Sequence, residues 1–154
     1  MDDVQGNAWK TFNGVGTNTL DETISVAVDS AGRIYIVDTK SRVVRIDDMD
    51  GAGWTTFGPT PIGPGSFLGP KVVILDRQDR LYASDTAGHR IVRFNDLQGT
   101  GWTTFGSQGS GVGQFNRPEG LALDSLGRIY ITDNDNHRIV RIDDMTGAGW
   151  VTYG

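Results

Sequence analysis

Short apolar runs alternate with glycine- and aspartate-rich turns along the whole chain. Near its end, Gly120-Leu121-Ala122-Leu123-Asp124 reads as a short apolar strand and Ser125-Leu126-Gly127 as a turn. Arg128-Ile129-Tyr130-Ile131-Thr132-Asp133 follows as a second strand, rich in β-branched and aromatic residues. Asn134-Asp135-Asn136 turns the chain into His137-Arg138-Ile139-Val140-Arg141-Ile142. The polar loop 143–148 then leads to Gly149-Trp150-Val151-Thr152-Tyr153. No segment sustains apolar residues at i, i+3, i+4 and i+7, so no helix is predicted. The first two strands are apolar on both faces, which suits a sheet packed between two neighbouring sheets.

This four-strand pattern recurs. Tryptophans at Trp9, Trp54, Trp102 and Trp150 are spaced by 45, 48 and 48 residues. Arginines at Arg45, Arg93 and Arg141 are spaced by 48 and 48. Residues 53–100 and 101–148 align without a gap and are identical at 22 of 48 positions. The first unit is three residues shorter, lacking two before Asp29 and one between Asp38 and Arg45. Four strands in each period of 45–48 residues predict an all-β fold of propeller blades, each a four-stranded antiparallel meander. The repeats run over 8–52, 53–100 and 101–148, with a final outer strand at 149–154, in a single domain spanning 1–154.

Composition narrows the partners more than the fold. The 154 residues suit one domain, and four Trp, four Tyr and six Phe supply bulk for a core. Twenty-two glycines without a low-complexity run fit many turns. A net charge of −5 argues against nonspecific binding to nucleic acid or to anionic membranes. The longest apolar run, Val72-Val73-Ile74-Leu75, is too short for a transmembrane helix. The acidic start MDDVQGNAWK is no signal peptide, so a soluble chain is expected, its compartment undetermined. Without cysteine, disulfides, Cys-ligated zinc and thiol catalysis are excluded.

The third unit contains DSLGRIYITDNDNHRIVRID, preceded by GVGQFNRPEGLALD. It resembles the NHL repeat of six-bladed propellers, with the name-giving feature at Asn136-His137 followed by Arg138-Ile139. The resemblance covers residues 6 to 154. The first unit departs from it: Thr39-Lys40-Ser41-Arg42 has no histidine, and Thr23 stands where Pro70 and Pro118 stand elsewhere. The resemblance implies six blades, with ligands bound on the top face around the central channel.

Antiparallel order puts the interblade connections 13–23, 58–70 and 106–118 on that top face, with the turns between second and third strands. His89 and His137, the only histidines, each follow an aspartate by four residues, Asp85 and Asp133. An Asp–His hydrogen bond closing each turn explains both better than a base or metal ligand does, because repeat-equivalent residues on different blades do not converge. Gly63-x-Gly65-x-Phe67 and Gly111-x-Gly113-x-Phe115 lack the helix that a phosphate loop needs and read as turns. Asp48-Met49-Asp50-Gly51 resembles the start of a calcium loop, but Pro59 occupies its twelfth position, which favours a β-turn. The aspartates gathered on the bottom face read as a solvated acidic surface. The first positions of the innermost strands, Ile24, Lys71 and Glu119, differ where the rest of the repeat agrees. With Arg117 beside them, they are the candidate ligand contacts at the channel entry; a Lys71–Glu119 ion pair between blades is the equal alternative. The near-neutral top face lacks the basic excess and exposed aromatics that RNA binding needs.

Two functions follow. The first is a noncatalytic scaffold whose top face binds a protein or a small ligand, with no cofactor, no metal and no catalytic residue. The alternative, implied by the resemblance, is a lyase or hydrolase with a top-face active site built on histidines and often a metal. Three blades form an arc with two apolar faces, larger than the few hundred Å² that soluble monomers expose. Burying about 2,000 Å² at ~25 cal/mol per Å² exceeds an association cost of about 4–15 kcal/mol. An obligate homodimer that closes six blades about a twofold axis is therefore expected. The strand count is thirteen, because 8–12 and 149–153 both match the outermost strand 53–57. The short loop 143–148 favours the C-terminal strand as the edge of the third blade. The competing arrangement uses 8–12 as a latch between subunits.

Overall fold

The computed structural model describes residues 10–154. Each repeat folds into one four-stranded antiparallel sheet whose strands follow chain order from the inner to the outer edge. Blade one comprises β3 (Thr23–Val28), β4 (Ile34–Asp38), β5 (Arg42–Ile46) and β6 (Thr55–Phe57). It is preceded by the ribbon β1 (Gly14–Val15) and β2 (Asn18–Thr19). Blade two comprises β7 (Pro70–Leu75), β8 (Leu81–Asp85), β9 (Arg90–Phe94) and β10 (Thr103–Phe105). The connection to blade three carries the short parallel pair β11 (Ser107–Gln108) and β12 (Gln114–Phe115). Blade three comprises β13 (Pro118–Leu123), β14 (Ile129–Asp133), β15 (Arg138–Ile142) and β16 (Val151–Tyr153). Single 3₁₀ turns at Thr86–Gly88 and Asn134–Asn136 are the helical pieces among the described residues.

The third blade is completed within the chain, as the short loop favours: β16 pairs with β15, with Tyr153 opposite Ile139. Of the N-terminal strand expected over 8–12, residues 10–12 form no strand, and Ala8 and Trp9 lie outside the described residues.

Strand alternation sorts the core into layers between blades. On β4, Tyr35 and Val37 face blade two, and there they meet Leu81, Ala83, Val92 and Phe94. On β8, Tyr82 points the other way, into a second layer with Ile129, Ile131, Val140 and Ile142. Ile36, Val44 and Ile46 line the outward face of blade one, where Phe12, Leu20, Ile34 and Trp54 pack on them. The strands are apolar on both sides because each blade belongs to two layers.

Two carboxylate devices recur with the blades. On the bottom face, Asp29, Asp76 and Asp124 open the turn between first and second strands. Each accepts backbone N–H groups two and four residues on, as Asp124 does from Leu126 (2.9 Å) and Arg128 (3.0 Å). Each also takes the Nε of the arginine four residues on at 2.6 Å. The tyrosine six residues on donates its hydroxyl at 3.2–3.4 Å. These aspartates are thus turn staples rather than a merely solvated surface, and Asp29 is buried. On the top face, Asp38, Asp85 and Asp133 are fully buried. Asp85 accepts from the backbone of Leu68 and Gly69 at 2.9 Å and pairs with Arg90, whose guanidinium reaches the Ser66 carbonyl at 2.6 Å. Asp133 and Arg138 hold Asn116 N–H and the Ser110 carbonyl in the same way. Carboxylate and guanidinium together clamp each interblade loop through both its N–H and its C=O groups.

Desolvation raises the Asp124 pKa, but the Arg128 hydrogen bond and the backbone N–H groups outweigh it and hold the carboxyl at about 2. Asp29 and Asp76 are lowered by the same opposed causes. A carboxyl with a lowered folded pKa stabilises the fold above its unfolded pKa and loses that contribution as pH falls through the folded one. Chemical denaturation should therefore give constant stability from neutral pH to about 5, then a decline toward pH 2. Replacing Asp85 with Ala should lower the unfolding free energy by about 3 kcal/mol, because Arg90 and two loop N–H groups lose their partner. The exposed Asp135→Ala should change it by under about 0.5 kcal/mol in the same urea titration.

Candidate functional site

The candidate contacts stand at register irregularities of the inner strands. Pairing between first and second strands shifts between Thr23 and Ser25, between Pro70 and Val72, and between Pro118 and Leu121. Ile24, Lys71 and Glu119 occupy these shifts, and such irregularities re-aim a side chain out of its strand's alternation. The N–H groups released there bond to side chains on the next strand: Val72 to Ser84 Oγ at 3.1 Å, and Gly120 to Thr132 Oγ1 at 2.7 Å. The strands β3 and β13 both approach β7, so the three positions sit along one inner wall.

They do not form a common site. Ile24 lines an open apolar groove of about 330 Å³ on the outward face of blade one, with Phe12, Leu20, Val26 and Ile36. Lys71 and Glu119 are half-buried, and none of the ion pairs among the described residues joins them. Arg117 is exposed, with a left-handed backbone (φ 56°). Its N–H donates to His89 Nδ1 at 3.2 Å across the blade boundary.

That bond corrects the expected Asp–His pairing. His89 and His137 both adopt φ 53° at the end of their 3₁₀ turns, each donating its backbone N–H to the first residue of the turn. Asp85 and Asp133 instead take the loop N–H groups and the next residue's guanidinium. Arginine's planar fork spans carboxylate and loop together, which an imidazole does not. His89 thus bridges blades two and three, beside the buried bond from Thr86 Oγ1 to the Pro118 carbonyl at 2.6 Å. No group of three or more potential metal ligands occurs among the described residues. Asp48 accepts from the backbone of Asp50 (2.9 Å) and Ala52 (3.2 Å), which makes its loop a turn.

One feature escaped the reading of the repeats. A cleft of about 720 Å³ opens between blades two and three on the bottom face, lined by Arg77, Arg80, Arg93, Asp76, Asp124 and Asp144 among others. Arg45 and Arg141 have aspartates alongside, Asp47 at 3.2 Å and Asp143 at 3.5 Å. At the matching place beside Arg93 stands Asn95. The buried Nε of all three arginines lacks a hydrogen-bond partner, so what sets Arg93 apart is the missing neighbouring carboxylate. The Asp-to-Asn difference within an otherwise regular repeat was the available signal. The carboxyl of Asp144 is held below its usual range, first by the Thr146 side chain and backbone and also by Arg93. Cationic and anionic groups alternate around this cleft, and its aspartates are engaged in turns.

Residues 115–142 match the NHL repeat. Comparison with curated protein sequences finds no match. Among solved structures, virginiamycin B lyase from Staphylococcus aureus superposes with a TM-score of 0.65 at 20% identity, over 89% of this chain and 42% of the lyase. A protein of unknown function from Bacteroides thetaiotaomicron gives 0.65 at 21% identity, over 86% of this chain and 35% of its own. A chain of the nidogen/laminin complex gives 0.64 at 22% identity, over 84% and 47%. The chain therefore spans less than half the length of these structures, and what it shares with them is the fold.

If Lys71 and Glu119 stand free of one another, a double-mutant cycle of Lys71→Ala and Glu119→Ala should give a coupling under about 0.5 kcal/mol in thermal or urea unfolding. A coupling above about 1 kcal/mol would make them an interblade ion pair.

Proposed function

For this NHL-repeat chain with the fold of about half a six-bladed propeller, we propose the function of a noncatalytic scaffold. It closes a six-bladed ring with a second copy and offers the top face for protein or small-ligand binding. One observation carries the proposal: the two end blades present opposite faces of the same repeating layer. Blade one exposes its Val26 side, and blade three exposes Ile139, Val151 and Tyr153. At the two internal boundaries the corresponding faces bury one another. A twofold pair of arcs would repeat that packing twice.

Lyase chemistry is the second reading, prompted by the likeness to virginiamycin B lyase, in which one histidine-to-alanine change abolishes catalysis. It is the weaker reading here. His89 has its Nδ1 engaged by Arg117, and the fully buried carboxylates hold loops. Among the described residues, the charged side chains of the cleft between blades two and three include Asp76, Asp124 and Asp144. Their carboxylates are engaged in turns, which does not favour general acid–base work.

Light scattering on the purified chain should give twice the mass of the 16.7 kDa chain at micromolar concentration. A stable monomer would overturn the ring. Stoichiometric zinc or calcium in elemental analysis of the same sample would favour the lyase.

A further inference from the structure

Three aromatic slots repeat along the arc. Phe57, from the outer strand of blade one, lies across blade two, 5.7 Å from Trp102 and against Gly99. Phe105 lies on blade three in the same way, 6.2 Å from Trp150 and against Gly147. Phe12 completes the series on blade one, 6.0 Å from Trp54 and against Gly51. A Cβ on any of these glycines would overlap the ring, and all three have φ between 78° and 83°. In each slot the glycine faces the delivered ring, at Gly99 together with Pro64.

The rings are delivered differently. Phe57 and Phe105 ride on strands paired within their own blades, opposite Val43 and Ile91. Residues 10–12 belong to no strand, and Phe12 fills its slot from this unpaired segment, packed on the outward face of blade one. By repeat register, the ring that a blade packed there would deliver is the one carried by β16. That ring is Tyr153, which sits opposite Ile139 and is 83% exposed.

An exchange in which residues 10–12 replace β16 is disfavoured by charge. In the outer-strand register Lys10 would take the place of Val151, directly opposite Arg141. Like charges directly opposite each other destabilise a sheet. Lys10 instead pairs with Asp50 of its own blade at 3.0 Å.

We propose that the slot formed by Gly51 and Trp54 is the docking site for Tyr153 of a second copy, and that Phe12 competes with it from within the chain. This rests on the ring proposed above and specifies its contact. Docking requires Phe12 to leave, so the apparent affinity between copies is reduced by the fraction of chains in which the slot is empty. A monomer–dimer equilibrium governed by a three-residue segment follows.

Sedimentation equilibrium on the full chain and its variants tests this. Phe12→Ala should tighten self-association by about tenfold, and Tyr153→Ala should weaken it by about tenfold or more. Lys10→Ala, which loosens the segment without touching the core, should shift association in the same direction as Phe12→Ala by a smaller factor, so a poorly folded Phe12 variant leaves the test intact. Equal dimerisation of wild type and all variants would overturn the slot while leaving the ring standing. Loss of a wild-type dimer in Phe12→Ala and Lys10→Ala would make the segment a latch and overturn the competition. Monomers throughout would overturn the ring and the slot together.

Discussion

A fully buried carboxylate at the end of each second strand is the constraint on which the arc depends. Asp38, Asp85 and Asp133 have no access to water, so each must find its partners inside the protein. They find them in the backbone of the loop arriving from the preceding blade and in the arginine that opens the next strand. That arginine then donates to the loop's carbonyls, so one ion pair fixes the loop from both sides. With the loop fixed, the first strand of the blade begins at a set height. The register shift carrying Ile24, Lys71 or Glu119 falls at the same place in every blade.

Packing between blades depends on that placement. Each second strand divides its side chains between two layers, so a sheet shifted along its axis would lose contacts on both sides at once. Cross-blade hydrogen bonds reinforce the same alignment: Ser25 Oγ takes the Val73 N–H at 3.2 Å, and Thr86 reaches the Pro118 carbonyl. On the bottom face, the Ser30 backbone and hydroxyl both reach Asp79. The aromatic slots close the outer edge, with glycines at their floors where the rings press. Polar groups that would otherwise suggest chemistry are thereby absorbed into architecture. Two positions escape this periodicity. Arg93 is left without the aspartate its counterparts have, and Phe12 fills a slot without being part of a sheet.

Much of this was legible in the chain itself. The period, the four strands of each unit, their order and the absence of long helices follow from alternation and turn residues, which act locally and recur three times. The roles of glycines and tryptophans could be inferred because repetition identifies what every blade requires, whereas the bottom-face aspartates read as a solvated surface and proved to staple turns. The short loop favours residues 151–153 as the edge of the third blade, where β16 pairs with β15 in this chain, with residues 8–12 as the competing intersubunit latch. Partner choice among polar groups was decided only by tertiary structure. Sequence spacing pairs Asp85 with His89 as readily as with Arg90. The left-handed turn at His89 and the nearby loop carbonyls give the carboxylate to the arginine. Likewise Ile24, Lys71 and Glu119 share a repeat position, yet Ile24 lines a groove on an open face, because blade one has no described blade packed on that side. Spacing reports which residues share a position in the repeat; the direction a side chain takes from a bulge or a left-handed turn depends on what the next blade places beside it.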